Sequence, residues 1–588
     1  MSDTVTLAMI VKNEAGNLAA CLESVKNEVD EIVIVDTGST DSTLEVAARY
    51  TDKIFTYAWQ GDFSAARNYA VGKSSGRWIF YLDADECLFC DPGQLRKTVM
   101  RDDQTEAYML PLDYPINEST GEYNRFLVLR LFKNTKDYYF AGRIHEQVMI
   151  QKNEAVGFAE DMIIKHQAVP PKERNRKRGR NLRALKEACA LEPRNCFLQY
   201  YQGIEWLGLG KPAKALPFLE SAYVNLTDAH LHFRMPSLRY LLTCLNALGR
   251  FDEAICLGQE AALRYPGYTD IYYLTGLALE EKASYHPAVK WFEEAVKCGV
   301  PPAIYTHMQG AGSFLAYYHM GYCWENIGRP DAAQTCYEQA LQANTRYYYP
   351  ATGLFLLMLS HHGPNATFDY FKNQGYLSHS PIALSVAELF FTCGYPGLAK
   401  RCLEGSGISC NLTEEILYHL GRYNIYSGKF RDGLTYLERI PANSQFSGLA
   451  QTHRCLALLF SGCLKECRDL ALVMWKNKQV RYTARALLGL CRSLQQSDTV
   501  SPVRYVNQEE LLQCLLRLLD ECCHCLPERP GIETAGLTRV TSLLETFLTA
   551  LPEGTWKLDQ YLQSRINGIG EFFQYKFRTG GTRIWVKE

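Results

Sequence analysis

Arg77-Trp-Ile-Phe-Tyr-Leu-Asp-Ala-Asp-Glu86 constrains this chain more than any other stretch. Trp78 to Leu82 is short and apolar, which reads as a strand covered on both faces, as in a parallel sheet. The run stops at Asp83, Asp85 and Glu86. A buried strand that ends in acids puts charge where a sheet opens to solvent, and open α/β sheets bind ligands at that edge. Alternate carboxylates on an extended backbone can share one hard cation, and such a cation commonly also holds a substrate phosphate. A plain polar turn is the competing reading, since Asp is common in turns.

The preceding residues favour the ligand edge. Val5 to Val11 reads as a first strand, Glu31 to Val35 as a second ending at Asp36, Lys53 to Tyr57 as a third and Arg77 to Leu82 as a fourth. Helical patterns lie between them at Asn17 to Lys26, Thr43 to Tyr50 and Ser64 to Val71. This alternation predicts right-handed crossovers and a doubly wound, mostly parallel sheet. Glu14, Asp36 and Asp83 then share the edge formed by the strands' carboxyl ends. Ala107 to Leu112 and Phe126 to Lys133 read as antiparallel strands linked by a turn-rich Asn117 to Tyr123. Arg143 to Glu146 and Ile163 to His166 close the region before Pro170-Pro171 and a basic run from Lys172 to Arg183.

Beyond about Asn195 the chain repeats itself. Gly210-Lys-Pro-Ala-Lys-Ala215, Gly249-Arg-Phe-Asp-Glu-Ala254 and Gly328-Arg-Pro-Asp-Ala-Ala333 are versions of one turn, with weaker copies at Ala283, Gly394, Gly428 and Gly462. The spacings 249 to 283, 394 to 428 and 428 to 462 are each 34 residues, the tetratricopeptide period. The predicted architecture is α/β plus all-α, a doubly wound mostly parallel sheet followed by a tetratricopeptide-like α-solenoid. Its expected parts are residues 1–170, a basic linker helix at 171–194, repeats at 195–497, and a C-terminal helical region at 498–588. In that last region Tyr505 to Leu526 reads as helix and Gly568 to Glu588 as a hairpin.

Composition removes several function classes. A chain of 588 residues with 47% hydrophobic and 21% charged content is globular and multidomain. A net charge of −2 gives no global basic field for nucleic acid. Met1 to Val11 lacks a basic start with a long apolar core, and no stretch approaches about 18 uninterrupted apolar residues, so neither a signal peptide nor a membrane span is expected. The 21 cysteines are then expected to be reduced, buried small apolar residues of a cytoplasmic protein.

Met9-Ile-Val-Lys-Asn-Glu14, Asp36-Thr-Gly-Ser-Thr-Asp41, Asp62-Phe-Ser-Ala-Ala-Arg-Asn68 and Asp83-Ala-Asp-Glu86, in that order, resemble family 2 glycosyltransferases of the GT-A type. Arg143-Ile-His-Glu146 and the repeats narrow the resemblance to the branch that includes the sublancin-type bacteriocin S-glycosyltransferases. The resemblance covers about residues 4–170 in the catalytic part. It implies a nucleotide-sugar donor, usually a UDP-sugar, a divalent metal (Mn or Mg) and inversion at the anomeric carbon. Asp36 matches the acid that holds base or ribose. Asp83 and Asp85 match the Asp-x-Asp pair at the ribose and the metal-diphosphate. Thr37 stands where many members carry a second Asp, which leaves base selectivity unassigned.

The expected donor contacts are Val11, Asn13, Glu14, Asp36, Ser39, Arg67 and Asp83. Glu14 and Lys12 have solvated loop charges as their alternative. Arg67 would pair with phosphate as a fork donor, or else make an ion pair on a helix surface. Asp85 and His166 are the expected metal ligands, the latter through a neutral imidazole, with a structural histidine as the alternative. Glu146 is the candidate general base, with Asp113 and Asp161 next in line; on a regular strand His145 would point away from it. The basic run reads as a solvated helix face or an anion or acceptor contact. Cys87 to Cys90 and Cys522 to Cys525 have zinc-like spacing without a second pair. Thr37-Gly-Ser-Thr40 lacks the Walker lysine and the dinucleotide glycines.

The expected function is metal-dependent transfer of a sugar to a peptide or protein acceptor held by the helical repeats. No nucleic acid is involved, and a homodimer is left open. Transfer in cell-surface polysaccharide or glycolipid synthesis and a non-catalytic scaffold are the alternatives. The donor pocket, resting on strand ends within Val5 to Leu82, is expected to stand without the repeats.

Overall fold

The computed structural model describes residues 3–101, 104–150, 155–404 and 412–495. The expected helix at Tyr505 to Leu526, the hairpin at Gly568 to Glu588 and the Cys522 to Cys525 cluster lie outside them.

β1 (Val5–Val11), β2 (Glu31–Asp36), β3 (Ile54–Thr56) and β4 (Trp78–Phe80) form the parallel part of the sheet in the order β3-β2-β1-β4. β1 is buried at every position but Ile10, as a strand covered on both faces should be. The crossovers are α1 (Leu18–Val25), α2 (Thr43–Ala47) and α3 (Phe63–Lys73). α1 buries Leu18, Cys21, Leu22 and Val25, a single helical stripe. Asp62 caps α3 by accepting from the Ala65 amide at 3.0 Å.

After β4 the chain adds β5 (Glu86–Phe89), α4 (Gln94–Val99), β6 (Ala107–Asn117), β7 (Glu122–Lys133), β8 (Tyr139–Ala141), β9 (Gln147–Met149), β10 (Val156–Phe158) and β11 (Ile163–His166). The sheet continues from β4 as β7-β6-β11-β5, with β7 antiparallel to β4, while β8 and β9 pair separately.

Several expectations need correction here. β4 ends at Phe80, and Asp83 to Asp85 form a turn closed by the Glu86 amide on the Asp83 carbonyl at 3.0 Å. The acids therefore do not alternate along an extended strand, because the chain must reverse to enter β5. Glu86 is not part of an open acidic edge: it begins β5 and is buried against Arg130. β6 and β7 are longer than their apolar runs, and only Glu118 to Gly121 lie between them, because cross-strand pairing carries polar residues into the ladder. Arg143 to His145 form a bend, not a strand, with His145 at φ 51°.

The basic run lies on α5 (Pro171–Leu191), followed by α6 (Cys196–Gly208), α7 (Pro212–Asn225), α8 (Leu231–Ala247), α9 (Phe251–Arg264) and α10 (Thr269–Glu281). The repeat turns adopt one conformation: Gly210, Gly249, Gly328, Gly394, Gly428 and Gly462 lie at φ 69° to 87°, and Ala283 takes the same region at 55°. Helix glycines set the closest approaches. A Cβ on Gly203, Gly276, Gly321 or Gly421 would stand 2.5–2.6 Å from Leu219, Phe292, Tyr337 or Leu437.

The chain gathers into two compact units, Met1–Pro350 and Ala351–Glu588. Within the first, β12 (His307–Met308) leaves the helices to pair antiparallel with β7, setting His307 opposite Arg125 and Met308 opposite Asn124. The second continues as helix pairs from Ser380–Thr392 to Arg481–Gln495. Among the described residues no helix is long and apolar enough to cross a membrane.

Candidate functional site

Two loops meet at the carboxyl ends of β1 and β2. Asp36, buried at the end of β2, accepts from the Gly38 and Ser39 amides at 3.1 Å. Ser39 Oγ accepts from the Asn13 amide at 2.9 Å, and Asn13 Oδ1 accepts from the Thr40 amide at 2.7 Å. Asn13 holds φ 56°, a region that costs energy for a side-chain-bearing residue and is tolerated by Asn. The Thr37 amide donates to the Val11 carbonyl at 3.0 Å. Val11, Asn13, Asp36 and Ser39 thus form one knot. Glu14 joins it through its amide on Thr43 Oγ1 at 2.8 Å. Burial pushes the Glu14 carboxyl up, and Asp85 adds to the effect while Asn17 and Lys177 oppose it.

The turn after β4 supplies the acids. Arg67, buried on α3, donates from Nη2 to Asp83 at 2.6 Å and from Nε to Glu146. Its guanidinium lies 5.0 Å from the Tyr81 ring and 5.5 Å from Phe140. Arg130 on β7 lies over the other part of the cluster, 4.6 Å from the Tyr81 ring, 2.6 Å from Glu86 and 3.9 Å from Asp83. Burial opposes charge on Asp83, yet Arg67 and Arg130 hold its carboxyl well below the usual range. Burial wins at Glu86, which is pushed up to about 7 despite Arg130. Asp83 keeps 42% of its side-chain surface, so this acid of the pair faces outward.

Asp85 points elsewhere. Its Oδ2 lies 3.0 Å from Lys177 Nζ and 3.5 Å from His166 Nε2. His166 Nδ1 is 2.7 Å from the Gln167 carbonyl. A carbonyl only accepts, so Nδ1 is the donor of this pair, and in the neutral tautomer that fits it Nε2 is the nitrogen with the lone pair. Among the described residues no group of three or more His, Cys, Asp or Glu converges as a metal centre. A carboxylate oxygen beside an available imidazole nitrogen nonetheless fits a divalent cation that takes its other ligands from phosphate and water.

His145 and Glu146 do divide their work. Glu146 turns to Arg67, while His145 stacks on Tyr201 of α6 at 3.9 Å with Glu205 3.7 Å from Nε2. Burial lowers the His145 pKa to about 4. Asp113 is closed off by two bonds from Arg125 at 2.6 and 2.8 Å. Asp161 sits with Gln94, away from this cluster.

Sequence reasoning missed Arg130, Tyr81 and Tyr201, and named Lys177 only as one member of the basic run. A lone arginine inside Phe126-Leu-Val-Leu-Arg-Leu-Phe132 was a usable signal, since a buried arginine demands an acid. Tyr201 carried none.

Residues 6–157 match the family described as Glycosyl transferase family 2, and residues 315–347 match a Tetratricopeptide repeat. The first part of the chain is thus similar to family 2 glycosyltransferases, and a stretch of its helical part is similar to a tetratricopeptide repeat. The SPbeta prophage-derived glycosyltransferase SunS of Bacillus subtilis is 27% identical over 288 residues, 47% of this chain and 67% of that protein. A TPR repeat-containing protein of Synechococcus elongatus is 39% identical over 155 residues, 24% of this chain and 35% of that protein. An uncharacterized glycosyltransferase of Rickettsia felis is 36% identical over 86 residues, 15% of this chain and 30% of that protein. The match thus spans about a third of the Synechococcus protein and two thirds of SunS.

Proposed function

We propose that this chain moves a sugar, with inversion, from a nucleotide-sugar donor of the UDP-sugar class to a peptide or protein acceptor. The observation that carries the reading is the meeting of the β1, β2 and β4 loops at one sheet edge, with Asp36 in one loop and Asp83 and Asp85 in another. The Asn13 to Ser39 knot would hold the nucleoside, and Asp83 the ribose side. Arg67, whose Nη2 and Nε are taken by Asp83 and Glu146, would hold those two carboxylates in place and not fork onto phosphate as the sequence suggested. Asp85 and His166 would hold Mn or Mg, whose charge would stabilise the leaving diphosphate. The acceptor oxygen or sulfur bonds to the anomeric carbon as that carbon's bond to the diphosphate breaks, and Glu146 takes the acceptor proton. The repeats are the proposed acceptor platform, because stacked helix pairs present an extended concave surface.

The test is hydrolysis of a panel of nucleotide sugars by the full chain, with and without divalent metal, alongside Asp85→Ala. Loss of a charge-stabilising group typically costs about 3 kcal/mol or more, near a hundredfold in rate. Asp85→Ala should therefore fall at least that far while its circular dichroism is unchanged. Full activity in chelator would end the metal assignment.

A further inference from the structure

The basic run on α5 is not a uniform solvated face. Arg178 turns to α6, where Nη1 lies 3.3 Å from the Ile204 carbonyl and 3.0 Å from Glu205. It occupies space that only a glycine leaves open, since a Cβ on Gly208 would stand 2.1 Å from its guanidinium. Asn181 donates to the same Glu205 at 2.8 Å, and Leu182 and Leu185 are buried. Positions 178, 181, 182 and 185 make one helical stripe. That stripe fixes the rotation of α5 and thereby aims the neighbouring Lys177 at the sheet edge.

Lys177 Nζ sits 3.0 Å from Asp85 Oδ2, the oxygen that also faces His166. The ammonium stands beside the oxygen proposed to meet a divalent cation. One carboxylate oxygen cannot keep both. Lysine is a compact charge on a flexible four-carbon stem, and 31% of this side chain is still exposed, so it has room to swing. Once a cation takes Asp85, the diphosphate that the cation brings comes within reach of the freed ammonium, in competition with Glu14 and Glu173.

We propose that Lys177 is a diphosphate ligand of the donor site, held on Asp85 until a nucleotide sugar and its cation bind. The inference rests on the donor-site reading above and adds to it a residue from the first helix after the sheet. On Asp85 the lysine neutralises a buried acid; on the donor it would neutralise the leaving group.

The experiment is calorimetric binding to the full chain in Mg²⁺, using UDP, GDP, ADP and CDP, then the tightest of these against its own monophosphate. A charge-assisted hydrogen bond lost from the outer phosphate should weaken the diphosphate about ten-fold or more in Lys177→Met, and the monophosphate by less than about two-fold. Lys177→Arg should recover most of the loss. Mn²⁺ binding without nucleotide, read by electron paramagnetic resonance, should tighten in Lys177→Met because the competing ammonium is gone. If the Met variant does not fold, Lys177→Gln gives the same ratio, since it can still hydrogen-bond Asp85. An unchanged diphosphate-to-monophosphate ratio in a variant, with the wild type binding normally, overturns this inference alone. A wild type that binds no nucleoside diphosphate overturns the proposed function and the inference with it.

Discussion

Arg67 shares one guanidinium between Asp83 and Glu146, and that sharing sets what Glu146 can do. The arginine fixes where the Glu146 carboxylate points, and the base role has a sharp test. General-base removal typically costs 10²- to 10⁴-fold, and Glu146→Gln should lose about that much turnover while donor affinity holds. A thiol acceptor, with an unperturbed pKa of about 8.5, should recover rate in the variant as pH rises toward 9; a hydroxyl acceptor should not. Equal rates for both proteins at every pH would end the assignment. The neighbouring His145 makes a prediction about stability. Its pKa is lowered to about 4 in the folded protein against about 6.5 in an unfolded chain. Between those values the unfolded state binds more protons. The stabilising contribution is therefore full above about pH 6.5 and is lost as pH falls toward 4. His145→Phe keeps the stack on Tyr201 and removes the proton site. Its melting temperature should drop less than wild type between about pH 7 and pH 4.5, and superimposable pH curves would refute the argument.

The helices and strands divide into those that local pattern dictates and those that a distant neighbour dictates. A glycine inside a helix usually costs up to about 1 kcal/mol relative to alanine, yet that preference is reversed where two helices touch. Gly276→Ala would drive a Cβ to 2.6 Å from the buried Phe292 ring, and overpacking of about 1–3 kcal/mol outweighs the propensity gain. Gly179 on α5 meets nothing within 4 Å, so Gly179→Ala should stabilise by as much as about 1 kcal/mol. Urea unfolding of the pair should give shifts of opposite sign. The same division explains what could be read in advance. The apolar runs of β1 and β2, the acids that end them and the left-handed turns at Gly249 and Gly328 are local signals. The reversal at Asp83 to Asp85 was hidden, because it exists to bring β5 beside β11. Arg130 reaches Asp83 only because β7 pairs with β4, and no spacing in the chain announces that pairing. The 34-residue period located the repeats but not their ties to the sheet.

Those ties make the first unit one assembly. The separate donor domain expected from the sequence would end before Lys177, Tyr201, Glu205 and β12, all of which touch it. A fragment ending at Pro350 should keep the nucleotide affinity of the full chain, whereas one ending at Pro170 should lose it; equal affinities in the two fragments would refute this. A solenoid ordinarily folds by propagation from any of its repeats. This one is fastened sideways. Besides β12, Arg239 bonds Asn124, Asn344 bonds Thr120 at 2.9 Å, and Arg346 bonds the Glu118 carbonyl. The β6–β7 hairpin is finished by Lys133, but the partners of its tip are about two hundred residues further on. At cellular synthesis rates that interval is on the order of 10 to 40 seconds. Throughout it the nascent chain carries a completed hairpin whose outer edge is open at Asn124 and Arg125, the kind of edge that recruits other strands. The closure that ends the exposure is long-range and therefore slow, so the stretch from His307 to Arg346 would act on the sheet first as its protection during synthesis.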